Sequence, residues 1–232
     1  MEIDKTTSME KVSALLNSYQ AKAVIFDLDG TLINNNSFHL QTWKKYLEKI
    51  GKVISQENYN LHINGRTNHD AIEYIYGRKM STEESSPFAL EKEALYREIY
   101  QPFIKPINGL IQFLEILNEL NIPMAIATSG IQPNIDFMFN HIAIKKYFPV
   151  VVNSSHIKKG KPDPEIYLKA AALLEIEPKN CLVFEDAVVG IQSAKSAGMK
   201  VIALATTHLK DELKQADTMV DDYDFWKEKT II

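Results

Sequence analysis

The chain has 232 residues, 45% of them hydrophobic, and sets 26 Lys and Arg against 30 Asp and Glu for a formal net charge of −4. That is enough apolar material for one large packed domain or two small ones, and the slight acidity excludes nucleic acid as the main partner, because phosphate-backbone binding needs a basic face. A lone cysteine, Cys181, excludes a disulfide framework, and no apolar run is long enough to cross a bilayer, so a soluble, cytoplasmic protein with no membrane partner is expected.

Met9, Val12, Leu15 and Leu16 recur at helical spacing among acids and lysines, which predicts a short amphipathic helix rather than a signal peptide. An unbroken apolar run over 23–26 follows and reads as a buried parallel strand. It empties into Asp27 and Asp29, and Gly30 lets the chain turn sharply away. Ligands of open α/β sheets bind at the carboxyl ends of strands, so this pair has a functional address, although a turn-capping pair explains the same residues. After a polar loop at 34–37, Leu40, Trp43, Tyr46, Leu47 and Ile50 predict a helix that Gly51 ends. Thr67 to Asp70 fits a helix N-cap with an acid three residues on, leading into Ala71, Ile72 and Ile75. Residues 81–86 read as punctuation, and a charged helix over 88–100 is expected to bury Leu90, Ala94, Leu95 and Ile99 on one face.

Pro102, Pro106 and Gly109 break the pattern and mark a second crossing. Leu110, Phe113, Leu114, Leu117 and Leu120 predict the next helix. Strands over 122–127, 148–152, 181–184 and 200–204 then alternate with helices over 164–174 and 191–197. This alternation predicts an α/β fold, a Rossmann-like doubly wound parallel sheet formed by residues 1–38 and 105–232, with a small α-helical cap domain inserted at 39–104.

Four stretches carry a family resemblance. Phe26-Asp27-Leu28-Asp29-Gly30-Thr31-Leu32, Ile126-Ala127-Thr128-Ser129-Gly130, Gly160-Lys161-Pro162-Asp163-Pro164 and Val183-Phe184-Glu185-Asp186-Ala187-Val188-Val189-Gly190-Ile191 resemble, in order, the motifs of the haloacid dehalogenase superfamily. Within it the chain is most similar to the β-phosphoglucomutase-like phosphatases. The resemblance implies that Asp27 is a nucleophile forming an aspartyl-phosphate and that Asp29 is the general acid/base. It also implies Mg2+ held by Asp27, the main-chain carbonyl of Asp29, and Asp186, with Glu185 direct or through water.

Residue chemistry points the same way. Four acids converging at adjacent strand ends cannot all stay ionised without a cation, and magnesium suits a site of few carboxylates and a phosphate oxygen. Glu185 and Asp186 as mere helix caps remain open. Thr128, Ser129 and Gly130 present a hydroxyl and main-chain N–H groups at a helix start, which suits phosphate, though a plain strand-to-helix turn explains them equally. Lys161 is expected to reach Asp27 and a phosphate oxygen. Lys158 and Lys159 read as solvated surface.

Substrate choice falls to the insert, where Asn35, His39, Trp43, His62, Asn64, Arg66, Thr67, Asn68 and His69 are the polar or aromatic candidates. His39 matches a family histidine beside the acid/base, and Arg66 has a fork suited to a substrate anion. Asn34 stands where the family usually has Asp. Asn64 and Asn68 stand about where the sugar-phosphate mutases of the family carry cations, which puts mutase activity in doubt. The expectation is a monomeric, Mg-dependent phosphatase of a small sugar or polyol phosphate ester. A β-phosphoglucomutase-type mutase and a catalytically silent phosphate-binding protein are the alternatives.

Overall fold

A strand with no exposed position has no solvent face, and the sheet centre is made of such segments: β1 (Ala23–Phe26), β2 (Met124–Ala127) and β4 (Cys181–Glu185) are buried throughout. In the computed structural model, which describes residues 5–227, they join β3 (Val150–Val152), β5 (Lys200–Leu204) and β6 (Thr218–Val220) in one sheet of order β3-β2-β1-β4-β5-β6. Every pairing is parallel. Helices occupy α1 (Lys5–Ser18), α2 (Asn36–Lys49), α3 (Gln56–His62), α4 (Asn68–Tyr76), α5 (Thr82–Tyr100), α6 (Leu110–Glu119), α7 (Gln132–His141), α8 (Glu165–Leu173) and α9 (Val188–Ser196). The expected α/β Rossmann-like fold is what the chain adopts. Among the described residues no helix is long and apolar enough to cross a membrane.

Period-two alternation sorts the strand residues into two cores. Val24, Phe26, Leu182, Phe184 and Ile202 face α6, whose Phe113 and Leu114 join them, and Phe26 stacks on Phe184 at 5.3 Å. Ala23, Ile25, Ala125, Ala127, Val183 and Ala203 face the other way, against Tyr167 and Ala170 of α8 and Ile191 and Ala194 of α9. Cys181 belongs to this second core, and burial pushes its thiol up to about 11, as suits a small hydrophobe. The chain winds from β1 out through β2 to β3, then returns to the far side of β1 for β4. This reversal opens a crevice beyond the ends of β1 and β4, the usual ligand position in such sheets.

Between β1 and α6 the chain makes α2 to α5. Trp43, Tyr46, Leu47, Tyr59, Ile63, Ala71, Ile72 and Met80 form a third apolar cluster there. The entering and leaving segments touch at Ile33, which bridges to Pro106, and Ile107 N donates to Leu32 O at 3.0 Å.

The structure corrects several expectations. α5 starts at Thr82, not 88: Ser81 and Glu84 form a reciprocal capping box, so residues read as punctuation are a helix start. Its expected apolar face is not the buried one. Leu90 is exposed, while Ser85, Lys92, Glu93, Tyr96 and Tyr100 are buried: the two tyrosines join the first apolar core, and Lys92 and Glu93 meet polar side chains beside it. Sequence periodicity also passed over α3, α7 and β6, which are short or polar.

One glycine is fixed by the site it adjoins. A Cβ on Gly190 in α9 would lie 1.6 Å from Glu185 Oε1. Gly190→Ala is therefore expected to cost ~1–3 kcal/mol, the usual range for overpacking, in equilibrium urea unfolding. An unchanged midpoint would show that the Glu185 carboxylate is not held against α9.

Candidate active site

The ends of β1 and β4 bring buried charge together. Asp27 N donates to Phe184 O at 3.0 Å, continuing the β1–β4 ladder and fixing its side chain at the sheet edge. Lys161 Nζ, fully enclosed, lies 2.6 Å from Asp27 Oδ1 and 2.6 Å from Glu185 Oε1. Glu185 Oε1 also accepts from Tyr167 Oη at 3.1 Å, and its Oε2 accepts from the amides of Asp186 and Ala187 at 2.8 and 2.7 Å. Both Glu185 oxygens are thus engaged by the protein. Glu185 anchors Lys161 and fixes the turn that presents Asp186.

Asp186 Oδ2 accepts from Asn36 Nδ2 at 2.8 Å. Gly30, at φ +73°, is required beside it, since a Cβ there would stand 2.1 Å from Asp186 Oδ2. Burial pushes the Asp27 carboxyl up to about 8 against the pull of Lys161, with Glu185 and Asp29 adding to the rise. Burial, Glu185 and Asp27 likewise push Asp186 well above the usual carboxylate range. Among the described residues no three His, Cys, Asp or Glu side chains converge as a metal cage. Two under-neutralised carboxylates, Asp27 and Asp186, nevertheless fit magnesium, which takes one or two carboxylates and keeps several waters.

Asp29 is treated differently. Its Oδ1 accepts from Asn35 Nδ2 at 2.5 Å and lies 3.6 Å from His39 Nε2, just beyond hydrogen-bond length. Burial works to raise its proton affinity, but His39 and Asn35 outweigh that and hold it below its ordinary value. His39 stacks on Tyr96 at 3.8 Å, and its Nδ1 meets Lys92 Nζ at 2.8 Å. Lys92 in turn pairs with Glu93 at 2.7 Å. Sequence reasoning missed this buried pair, because adjacent Lys and Glu in a charged helix look solvated. The available signal was their helical spacing from Tyr96 and Tyr100, with which they share the buried face.

Asp27, Asp29, Asp186, His39, Arg66, Thr128, Ser129 and Gly130 line one cavity, with Asn64, Asn68, Trp43 and Tyr59 from the insert. Thr128 Oγ1 accepts from Gly130 N at 3.0 Å, which shapes the turn into α7 and leaves the hydroxyl hydrogen to donate. Ser129 Oγ donates to Gly65 O at 2.9 Å, tying this turn to the insert. Two expected substrate contacts are not brought into the cavity. Asn35 is wholly buried and committed to Asp29, Tyr96 and the amide of Gly30. Thr67 exchanges hydrogen bonds with Asp70 as the N-cap of α4. His62 stacks on Tyr74 and His69 bonds Ser85, so neither lines it. Arg66 Nε is buried with no hydrogen-bond partner among the described residues.

Residues 24–204 match the haloacid dehalogenase-like hydrolase family. The chain belongs to that family. It is 36% identical, at a TM-score of 0.78, to a HAD hydrolase, family IA, variant 3, from Entamoeba histolytica, covering 90% of this chain and 96% of that one. It is 32% identical to the β-phosphoglucomutase of Bacillus subtilis over 79% of this chain and 83% of that one. Hexitol phosphatase A of Escherichia coli is 29% identical over 87% and 91%. Membership of this family, with relatives named as phosphatases, makes the chain a phosphoric monoester hydrolase, and the buried acids at the switch point are where its chemistry has room.

The crowding at Asp27 gives a pH signature. With its carboxyl at about 8 in the folded protein and about 3.9 unfolded, the folded state binds the extra proton between those values. Metal-free stability therefore falls as pH rises through that window. Asparagine cannot ionise, so in chelator Asp27→Asn is expected to melt several degrees above the unsubstituted protein at pH 8 and level with it near pH 4. A melting difference independent of pH would show that Asp27 is not crowded.

Proposed function

We propose that this enzyme is a magnesium-dependent phosphatase of small phosphate monoesters, a sugar or polyol phosphate, acting through an aspartyl-phosphate at Asp27. One observation carries the proposal: Asp27 and Asp29 share a cavity with the Thr128–Gly130 turn while their proton affinities are displaced in opposite directions. Paired carboxylates pushed apart by their surroundings are suited to different roles. The hexitol phosphatase relative supports the polyol preference.

In the first step an Asp27 oxygen attacks phosphorus, the ester P–O bond breaks, and Asp29 gives its proton to the leaving alkoxide. In the second, Asp29 takes a proton from water, which attacks the aspartyl-phosphate and releases phosphate with Asp27 restored. Asp29 is held ionised in the free protein, the form the second step needs, and an incoming phosphate dianion raises its proton affinity for the first. Lys161, the Thr128 hydroxyl and main-chain N–H groups of the following turn neutralise the equatorial oxygens. Asp27, Asp186 and a main-chain carbonyl at Asp29 would hold magnesium, which supplies further charge neutralisation when bound. Residues 39–104 would act as a cap, with Arg66, Asn64 and Asn68 facing the organic part of the substrate.

The test is release of inorganic phosphate from a broad ester panel with and without magnesium. Turnover is expected to require the ion, to vanish in Asp27→Asn and to fall at least a few hundredfold in Asp29→Asn, within the ~10²–10⁴ of a positioned acid/base. Asp186→Ala is expected to lose magnesium binding by calorimetry. Full turnover in excess chelator, or normal rates in either Asp variant, would defeat the proposal.

The mutase relative defines a second reading. A mutase must grip a distal phosphate with cap cations and keep water from the phosphoenzyme, whereas Asn64 and Asn68 are neutral and Arg66 is the cation lining the cavity beside them. With β-glucose 1-phosphate, a trace of the bisphosphate and magnesium, free phosphate is expected to appear rather than glucose 6-phosphate. Faster formation of glucose 6-phosphate than of phosphate from any ester would reverse the choice.

A further inference from the structure

α5 carries two adjacent buried charges, Lys92 at 1% exposure and Glu93 at 3%, that the two chemical steps do not use. Lys92 Nζ lies 2.8 Å from His39 Nδ1, 2.7 Å from Glu93 Oε1 and 4.9 Å over the Trp43 ring. An ammonium offers only protons, so His39 Nδ1 accepts. A neutral His39 then carries its hydrogen on Nε2, the nitrogen facing Asp29 Oδ1 at 3.6 Å, which has no hydrogen-bond partner of its own among the described residues.

Behind Lys92 the chain of contacts crosses to another element. Glu93 Oε2 accepts from Asn134 Nδ2 at 2.7 Å, and Asn134 Oδ1 accepts from Arg97 at 2.7 Å. Asn134 is 4% exposed and sits in the first turn of α7, directly after the Thr128–Gly130 turn. One amide on α7 therefore clamps Glu93 and Arg97, one helical turn apart on α5. Burial works against the charge of Glu93, but Lys92 at 2.7 Å and the Asn134 amide at 2.7 Å outweigh it and hold the carboxyl below its ordinary value. The anchor for Lys92 is thus present at any ordinary assay pH.

We infer that Glu93 and Asn134 are positioning residues for the proton transfer by Asp29: the Asn134 clamp of α5 on α7 keeps Glu93 on Lys92, Lys92 keeps the Nε2–H tautomer of His39, and His39 orients the Asp29 carboxyl toward the leaving oxygen. This rests on Asp29 being the acid/base. Its chemical consequence is selective. A poor alkoxide leaving group needs the proton, whereas a nitrophenolate leaves without it. The value of kcat/KM reports only steps through formation of the phosphoenzyme, so the later base role of Asp29 does not enter.

The experiment measures kcat/KM for sorbitol 6-phosphate and for p-nitrophenyl phosphate in Asp29→Asn, Glu93→Gln, Asn134→Ala and, as a control, Glu91→Gln. Glu91 is exposed on the same helix and pairs with Lys49 at the surface. Glu93→Gln and Asn134→Ala are expected to lose about tenfold to a hundredfold on the alkyl ester and less than about threefold on the aryl ester, a share of the ~10²–10⁴ that Asp29→Asn forfeits selectively on the alkyl ester. Glu91→Gln is expected to change neither. Should Glu93→Gln not fold, Asn134→Ala carries the test, since it removes no charge and only frees Glu93 and Arg97 from α7. Equal losses on both esters in the Glu93 and Asn134 variants, with Asp29→Asn still selective, would overturn the inference alone. Loss of selectivity in Asp29→Asn itself would overturn the acid/base assignment, and the inference with it.

Discussion

A single buried ammonium, Lys161 Nζ, touches Asp27 and Glu185 at 2.6 Å each, and the sheet edge is built around that contact. A buried ion pair is a poor source of net stability, because desolvating both partners offsets their attraction. It persists here through the extra hydrogen bonds that saturate Glu185 and through Gly190, which leaves space for the carboxylate. One lysine still faces three buried carboxylates, Asp27, Glu185 and Asp186. The unbalanced charge falls on Asp27 and Asp186, the two whose proton affinity is raised. An anionic substrate brought to that edge would worsen the imbalance, and this charge pattern is what supports the divalent cation of the proposed function.

Asp29 lies two residues from Asp27, yet the structure separates them electrostatically. The β-strand alternation that sends Asp27 toward Lys161 leaves Asp29 beyond the strand end, in reach of Asn35 and His39 from the start of α2. Two lysines thus serve two acids by different routes: Lys161 contacts its carboxylate directly, while Lys92 acts through an imidazole and is itself neutralised by Glu93. Direct contact with Lys161 pulls against the burial that raises the proton affinity of Asp27. An intervening imidazole suits a group that must gain and lose a proton.

Legibility from sequence divides along the same line. The central strands announced themselves because burial on both faces demands uninterrupted apolar runs, and the motif acids because they follow such runs immediately. The bonding of Glu185 was hidden for a different reason: which oxygen meets which donor depends on Lys161, twenty-four residues away, and Tyr167, eighteen away. Asn35 and Thr67 were read as substrate contacts because polar residues beside a motif look available, yet each completes local backbone or side-chain hydrogen bonding. α5 was misread most, since binary patterning assumes that a buried face is apolar. Its buried face carries Lys92 and Glu93, which pair with each other and hydrogen-bond to His39 and Asn134 from other elements.

The contacts that seat the insert on the sheet edge extend this argument to the substrate. Ser129 Oγ bonds Gly65 O at 2.9 Å, Asn64 Nδ2 meets His208 Nε2 at 3.0 Å, and a Cβ on Gly65 would stand 2.8 Å from Ala187 Cβ. These three contacts are short and carry no carboxylate or ammonium, whereas the charged contacts of the insert lie at Asp29 and Asn134. With Lys92 neutralised by Glu93, Arg66 is the cation on the insert side whose buried Nε lacks a partner among the described residues. A ligand filling the cavity would therefore meet concentrated charge at the sheet edge and mainly neutral amides and aromatic rings at Asn64, Asn68, Trp43 and Tyr59. Neutral amides that both donate and accept match hydroxyl groups, which supports a hydroxylated chain or ring carrying one phosphate rather than a substrate with an anion at each end.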